Sequence, residues 1–96
     1  MATFAQHCLE CKVSLGKSHE DVHLWLDEFA FTAEYGLRHR RVRHHEAGVQ
    51  EAIALFGDEA GAAARMHITT DLKMFGWNES DPFPQDERDY VKMKLF

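Results

Sequence analysis

Apolar residues recur every three to four positions in four consecutive stretches of this chain, which is the spacing of one helix face. A glycine follows each stretch, at Gly16, Gly36, Gly57 and Gly76. Glycine just past the last apolar position is typical of a helix C-terminus. The pattern therefore predicts four helices, over residues 3–15, 19–34, 38–56 and 59–73.

Capping residues support three of these starts. Thr3 is expected to cap the first helix, and Asp58 the fourth. Ser18, followed three residues later by Asp21, is an acidic variant of the capping box and is expected to open the second helix.

The last part of the chain is less regular. Pro82 and Pro84 favour extended or turned backbone over residues 76–84, and Pro84 suits the first position of a short fifth helix over residues 85–94. No run alternates as a strand does. The sequence predicts one all-α domain over residues 1–96, an up-and-down bundle of four main helices plus a short C-terminal helix.

Composition narrows the class of protein. The chain has 96 residues, 45% of them hydrophobic, and a formal net charge of −5, which disfavours nucleic-acid binding. No apolar run approaches the roughly 20 residues of a membrane span, no secretory signal is visible, and two cysteines are too few for a disulfide-stapled scaffold. We expect a cytoplasmic protein without a membrane partner.

Seven histidines make metal binding the most specific chemistry to consider. His19 and His23 are four residues apart, as are His67 and Asp71, so each pair projects from one helix face. His45 interrupts the apolar stripe of the predicted third helix. The predicted metal ligands are therefore His19, His23, His45, His67 and Asp71, for zinc, nickel, iron or manganese.

Two other ionisable residues lie near this set but are not among the predicted ligands. Asp27 follows His23 by four residues on the same side of the second helix, and His7 borders the stripe of the first. The alternative is that the histidines are ordinary core or surface residues. The chain has no His-Glu-x-x-His motif and no His-Asp dipeptide, and only Glu20 with His23 supplies the Glu-x-x-His spacing of dinuclear carboxylate sites.

The Cys8-x-x-Cys11 pair lies mid-helix on the apolar stripe, with no strand before it. A redox Cys-x-x-Cys pair normally lies at a helix N-terminus after a strand. We therefore expect buried structural thiols.

Four arginines open the predicted third helix, where positive charge opposes the helix dipole. The positive charge can be neutralised within the chain, by carboxylates of the preceding helix (Asp27, Glu28 and Glu34) or by the acidic segment 79–89. The other is a bound anion such as a phosphate, with Arg38 and Arg41 as the anion-binding residues.

Several strings along the chain form one pattern. They are His7-Cys8-Leu9-Glu10, Tyr35-Gly36-x-Arg38-His39-Arg40-Arg41-Val42-Arg43-His44-His45-Glu46-x-Gly48-Val49, Phe56-Gly57-Asp58-Glu59-Ala60, His67-Ile68, and Pro84 with Asp89-Tyr90. The pattern resembles a small all-helical family of bacterial and phage proteins of unknown function. That resemblance implies a compact helical domain, with the histidine-rich segment as its distinctive element, and it brings no activity.

Two functions remain open. The first is a non-catalytic interaction or assembly protein, either a homodimer or the partner of another protein, since no catalytic motif is complete. The second is a metal-binding bundle, including a metal-dependent hydrolase that acts on an anionic or phosphorylated small molecule. The sequence does not decide whether the protein is an enzyme.

Overall fold

The structure, a computed structural model, describes residues 3–28, 40–74 and 76–93, with backbone only for Arg40 and Arg41. Helices are the only regular elements in these ranges. They are α1 (Phe4–Leu15), α2 (Glu20–Leu26), α3 (Arg40–Arg43), α4 (Glu46–Phe56), α5 (Glu59–Lys73) and α6 (Glu87–Lys92). The predicted all-α class is confirmed: α1, α2, α4 and α5 are the four main helices, α6 is the short C-terminal helix, and α3 is a single turn.

Helix α1 is bounded by the residues that the sequence indicated. The Thr3 side chain accepts a hydrogen bond from the Gln6 backbone, and the Gln6 side chain accepts one from the Thr3 backbone, which completes a capping box. Gly16 ends the helix with φ 85°, a conformation that glycine adopts without steric cost.

Helix α2 begins and ends differently from the prediction. Its N-cap is His19 in the left-handed conformation, with φ 56°, and no side chain caps it, so the capping box from Ser18 was wrong. The helix ends at Leu26, and Asp27 is its C-cap. The rest of the predicted second helix, beyond Glu28, lies outside the described residues.

The predicted third helix is interrupted at His44 and His45. His45 has extended backbone (φ −156°) and its Nδ1 accepts a hydrogen bond from the Gly48 backbone, so it caps α4 instead of lying inside a longer helix. The carbonyls of Pro84 and Gln85 accept hydrogen bonds from the first two backbone N–H groups of α4. These bonds satisfy donors that a helix start leaves open, which explains why the helix restarts here.

Helix α5 covers the predicted residues and packs against α1, α2 and α4. Its small residues Ala60, Ala63 and Ala64 are buried inside the chain, and a Cβ at Gly61 would lie 2.8 Å from Ile53 Cδ1. Close contact between α4 and α5 therefore depends on these small side chains. Asp58 makes no side-chain capping bond, contrary to prediction.

Helix α6 is shorter than predicted. It begins after Asp86, whose side chain accepts a bond from the Asp89 backbone, so Pro84 is not its first residue. Tyr90 is fully buried, and its hydroxyl donates to the His44 carbonyl. No helix in the described part of the chain has the length and apolar character needed to span a membrane.

Candidate metal centre

A buried cluster of histidines and carboxylates lies between the main helices. It draws His7 from α1, His23 from α2, Asp27 from the turn after α2, His44 from the break between α3 and α4, and His67 and Asp71 from α5. All are buried except Asp27, which is partly exposed. Four separate segments of the chain thus bring ionisable side chains to one place.

Four of these groups form the arrangement that we call the quartet: Asp27, His44, His67 and Asp71. Nε2 of His44 lies 3.4 Å from Asp27 Oδ1 and 3.3 Å from Asp71 Oδ2. Nε2 of His67 lies 3.3 Å from each of the same two oxygens. Two imidazole nitrogens and two carboxylate oxygens therefore surround one point.

The quartet distances are compatible with a metal ion as well as with long hydrogen bonds, one of which joins His67 Nε2 and Asp27 Oδ1. A charge-assisted N–H···O bond is typically about 2.7–2.9 Å long, shorter than any of the four separations. Four ligands in a tetrahedron at about 2.0–2.1 Å from zinc are about 3.3–3.4 Å apart, whereas neighbouring octahedral ligands at that bond length are about 2.8–3.0 Å apart. The four nitrogen–oxygen separations of 3.3–3.4 Å are compatible with the tetrahedron.

His67 also joins a second group, which we call the histidine trio: His7, His23 and His67. A ring nitrogen of each lies within 4.8 Å of the others. The rings of His7 and His67 stack with centroids 3.6 Å apart, and His7 Nε2 lies 3.3 Å from Asp71 Oδ1. Each oxygen of Asp71 therefore faces a different part of the cluster.

The contact between His23 and His67 requires one proton between the two rings. Their Nδ1 atoms are 2.8 Å apart, so one donates to the other. If Nδ1 of His67 donates, its Nε2 keeps a free lone pair toward the quartet, as a metal ligand requires. Burial lowers the pKa of His23 to about 4, together with the neighbouring His67 and His7, so a neutral His23 ring is available to accept this bond.

The carboxylates dominate the electrostatics of the quartet. Burial raises the pKa of Asp71, but the facing imidazoles of His44 and His67 lower it further, so the net pKa is well below the usual value. Burial lowers the pKa of His67, yet Asp27 and Asp71 raise it above the usual value. Burial outweighs the same carboxylates at His44, whose pKa is lowered. The quartet is thus an anionic pocket that attracts positive charge.

Arg43 holds together the two segments that carry Asp27 and His44. Its guanidinium lies 4.3 Å above the ring of Trp25 and donates to the Trp25 carbonyl and to Glu28, both at 2.7 Å. Trp25 and Glu28 flank Asp27, while Arg43 directly precedes His44. The internal compensation predicted for the arginine run is present at this residue.

The structure gathers some of the predicted ligands and separates others. His23, His67 and Asp71 lie in the cluster. His45 caps α4 and packs edge-on against Tyr90. His19 lines an open groove of about 440 Å³ at the start of α2. Neither belongs to the quartet or the trio.

Sequence reasoning left three cluster residues out of the predicted ligand set: His7, His44 and Asp27. Asp27 carried a signal, its spacing from His23, and His7 a weak one at the edge of its stripe. Of the predicted anion-binding residues, Arg38 and the side chain of Arg41 lie outside the described part of the chain.

The cysteines take no part in this cluster. Cys11 is fully buried with its sulfur 3.9 Å from that of Met66, and burial raises its thiol pKa to about 11. Cys8 is partly buried and its pKa is also raised. Raised pKa values are the opposite of what a redox thiol needs, which supports a structural interpretation.

Residues 2–77 match a protein family described as a domain of unknown function (DUF6915). The chain belongs to this family. The match confirms the resemblance to a family of unknown function and assigns no activity. The matched range contains all six residues of the cluster, from His7 to Asp71. No curated protein and no solved structure matches the chain.

Proposed function

We propose that this protein binds a divalent transition metal, zinc first, at the quartet of Asp27, His44, His67 and Asp71. The observation that carries the proposal is the set of four nitrogen–oxygen separations of 3.3–3.4 Å around one point. Two imidazoles and two carboxylates are an established kind of donor set for zinc. Manganese and iron are the weaker candidates because they favour more oxygen ligands and wider coordination.

Charge supports the same proposal. Two carboxylates bring a charge of −2 into a largely buried site, and one divalent cation balances it. A metal also uses the lone pairs of neutral imidazoles, and burial keeps His44 neutral by lowering its pKa. Without the cation, each Nε2 faces two oxygens and has at most one proton to direct at them.

Four protein ligands fill a tetrahedral shell, which favours a structural role for the metal. Hydrolysis of an anionic or phosphorylated small molecule, the second sequence hypothesis, needs an open position for a metal-bound water. Asp27, whose side chain is 27% exposed, is the proposed ligand nearest solvent. Dissociation of its carboxylate from the metal would open a position for a water molecule. Arg38 and Arg41 stay predicted anion-binding residues in that case.

The interaction or assembly role has less support. Exposed aromatic surface would support this role, yet Trp77 is buried with its indole N–H donating to the Pro82 carbonyl, and Trp25 packs beneath Arg43. Ala60, Ala63 and Ala64 of α5, small residues that would permit close contact with a second copy, are buried within the chain. A partner protein or a homodimer is therefore the weaker proposal.

The test is the metal content of untagged protein purified without chelator, followed by zinc titration calorimetry of the apoprotein. We expect near-stoichiometric zinc, and loss of binding in His44→Gln. His19→Gln is the matched control, because it makes the same change at a predicted ligand outside the quartet, and we expect it to bind zinc normally. Unchanged zinc binding in His44→Gln overturns the proposal, as does a wild-type protein that binds none.

A further inference from the structure

We propose that Tyr90 is a positioning residue of the metal site: it holds the backbone of His44, and it thereby couples metal binding to the docking of residues 84–93, which we call the C-terminal segment. This inference rests on the proposed function, because His44 is one of the four proposed ligands. It adds to that function a contact outside the ligand set that controls how tightly the metal is held.

Three hydrogen bonds join the C-terminal segment to the break that carries His44. The Tyr90 hydroxyl donates to the His44 carbonyl. The carbonyls of Pro84 and Gln85 accept hydrogen bonds from the first two backbone N–H groups of α4, which begins two residues after His44. Tyr90 is fully buried, so solvent is not at hand to replace its bond. The C-terminal segment therefore fixes the backbone on both sides of the break.

The break decides where the imidazole of His44 points. With the break present, His44 Nε2 lies 3.3 Å from Asp71 Oδ2 and 3.4 Å from Asp27 Oδ1. If α3 and α4 joined as one helix, His45 would lie on the buried stripe, and His44 would point about 100° away from it. The contacts from the C-terminal segment therefore favour the backbone form that brings His44 to the quartet.

Such a coupling acts in both directions. If docking of the C-terminal segment favours the form that binds metal, then metal binding favours the docked segment by the same factor. Helix α6 suits a test of this reciprocity, because it contacts α3 and carries none of the proposed ligands. A specific effect of the metal on α6 would therefore have to pass through the break.

The first experiment compares the zinc affinity of the wild type and Tyr90→Phe by competition with a chromophoric chelator. Phenylalanine keeps the buried ring and removes only the hydroxyl that donates to His44. Loss of a contact that orients a metal ligand typically weakens metal binding about 10–100-fold, so we expect about tenfold weaker binding at unchanged stoichiometry. Thr3→Ala is the control: it removes a hydroxyl hydrogen bond at the start of α1, which carries no proposed ligand, and should leave the zinc affinity unchanged.

The second experiment follows backbone amide exchange by mass spectrometry in the wild type, with and without zinc. Zinc should slow exchange over residues 84–93 more than over residues 4–15. Neither range carries a proposed ligand, but the first is bonded to the His44 backbone, whereas general stabilisation of the fold would slow both ranges alike. Because this measurement uses the wild type, it decides the matter even if Tyr90→Phe fails to fold.

The outcomes separate this inference from the proposed function. An unchanged zinc affinity in Tyr90→Phe overturns the inference and leaves the proposed function standing, as does equal slowing of exchange over the two ranges. An equal loss of affinity in Thr3→Ala also overturns it, because the loss in Tyr90→Phe would then reflect general destabilisation. A wild type that binds no zinc removes both proposals.

Discussion

Replacing Asp71 with asparagine is the sharpest perturbation of the quartet. Asparagine keeps the size of the side chain but removes its negative charge and turns one oxygen into an amide nitrogen. Asp71 is 3% exposed and faces His7, His44 and His67, so solvent cannot replace the lost oxygen. The variant loses one of the four proposed metal ligands with minimal change in packing.

The expected effect on thermal stability can be worked out. Free zinc held at 100 times its dissociation constant stabilises the wild type by about 2.7 kcal/mol. For a domain of this size, that raises Tm by about 11–22 °C. Loss of outer-shell partners alone weakens metal binding about 10–100-fold, so we take 100-fold as the least effect of losing a ligand. At the same free zinc, the stabilisation then falls to about 0.4 kcal/mol, or about 2–3 °C.

The assay is circular dichroism melting at pH 7.5, with free zinc set by a metal buffer and a parallel series in EDTA. The EDTA series removes any effect of the substitution on the metal-free fold, because only the zinc-dependent rise in Tm is compared. Asp58→Asn is the control: the same chemical change at the start of α5, on an exposed residue. A zinc-dependent rise in Asp71→Asn as large as in the wild type would refute the assignment of Asp71 as a ligand.

Two further predictions concern the packing of residues outside the metal-ligand set. In Gly48→Ala the new Cβ would lie 1.8 Å from the Arg43 carbonyl oxygen, so the backbone beside His44 has to move; we expect a loss of about 3 kcal/mol or more in urea unfolding. Gly61→Ala meets only a movable side-chain end and should cost about 0–2 kcal/mol, so equal losses would contradict the close approach at Gly48. Cys11, with its pKa raised to about 11, should not react with a disulfide reagent at pH 8 until the protein unfolds, whereas Cys8 should react slowly; rapid reaction of both would contradict burial of Cys11.

The sequence predicted correctly those helices whose ends are determined by residues close to them in the chain. Helix α1 begins with its own capping box and ends at Gly16, and α5 follows an apolar stripe that ends before Gly76. Residues near in sequence decide both. The break between α3 and α4 has no such signal, since Pro84, Gln85 and Tyr90 create it from the far end of the chain.

That break also explains why the sequence selected His45 instead of His44. In one continuous helix, His45 falls on the buried stripe and becomes a ligand candidate. Because the helix restarts after His45, this residue becomes an N-cap, while His44 is fixed by its carbonyl to Tyr90 and turns its imidazole into the cluster. A one-residue difference in the site thus arises from contacts about 40 residues away in sequence.

The composition of the core gives the cluster a structural reason beyond chemistry. Much of the buried apolar set is small, as at Val22, Val49, Ala52, Ala63 and Ala64. A domain of 96 residues buries a limited share of its surface, and ionisable groups at its centre reduce the apolar contribution further. The proposed metal ion would offset that cost, because its bonds to the quartet would link the turn after α2, the α3–α4 break and α5, which are distant in sequence. The cost of burying these ionisable groups without a metal is therefore a reason to expect that the proposed metal would stabilise the folded domain.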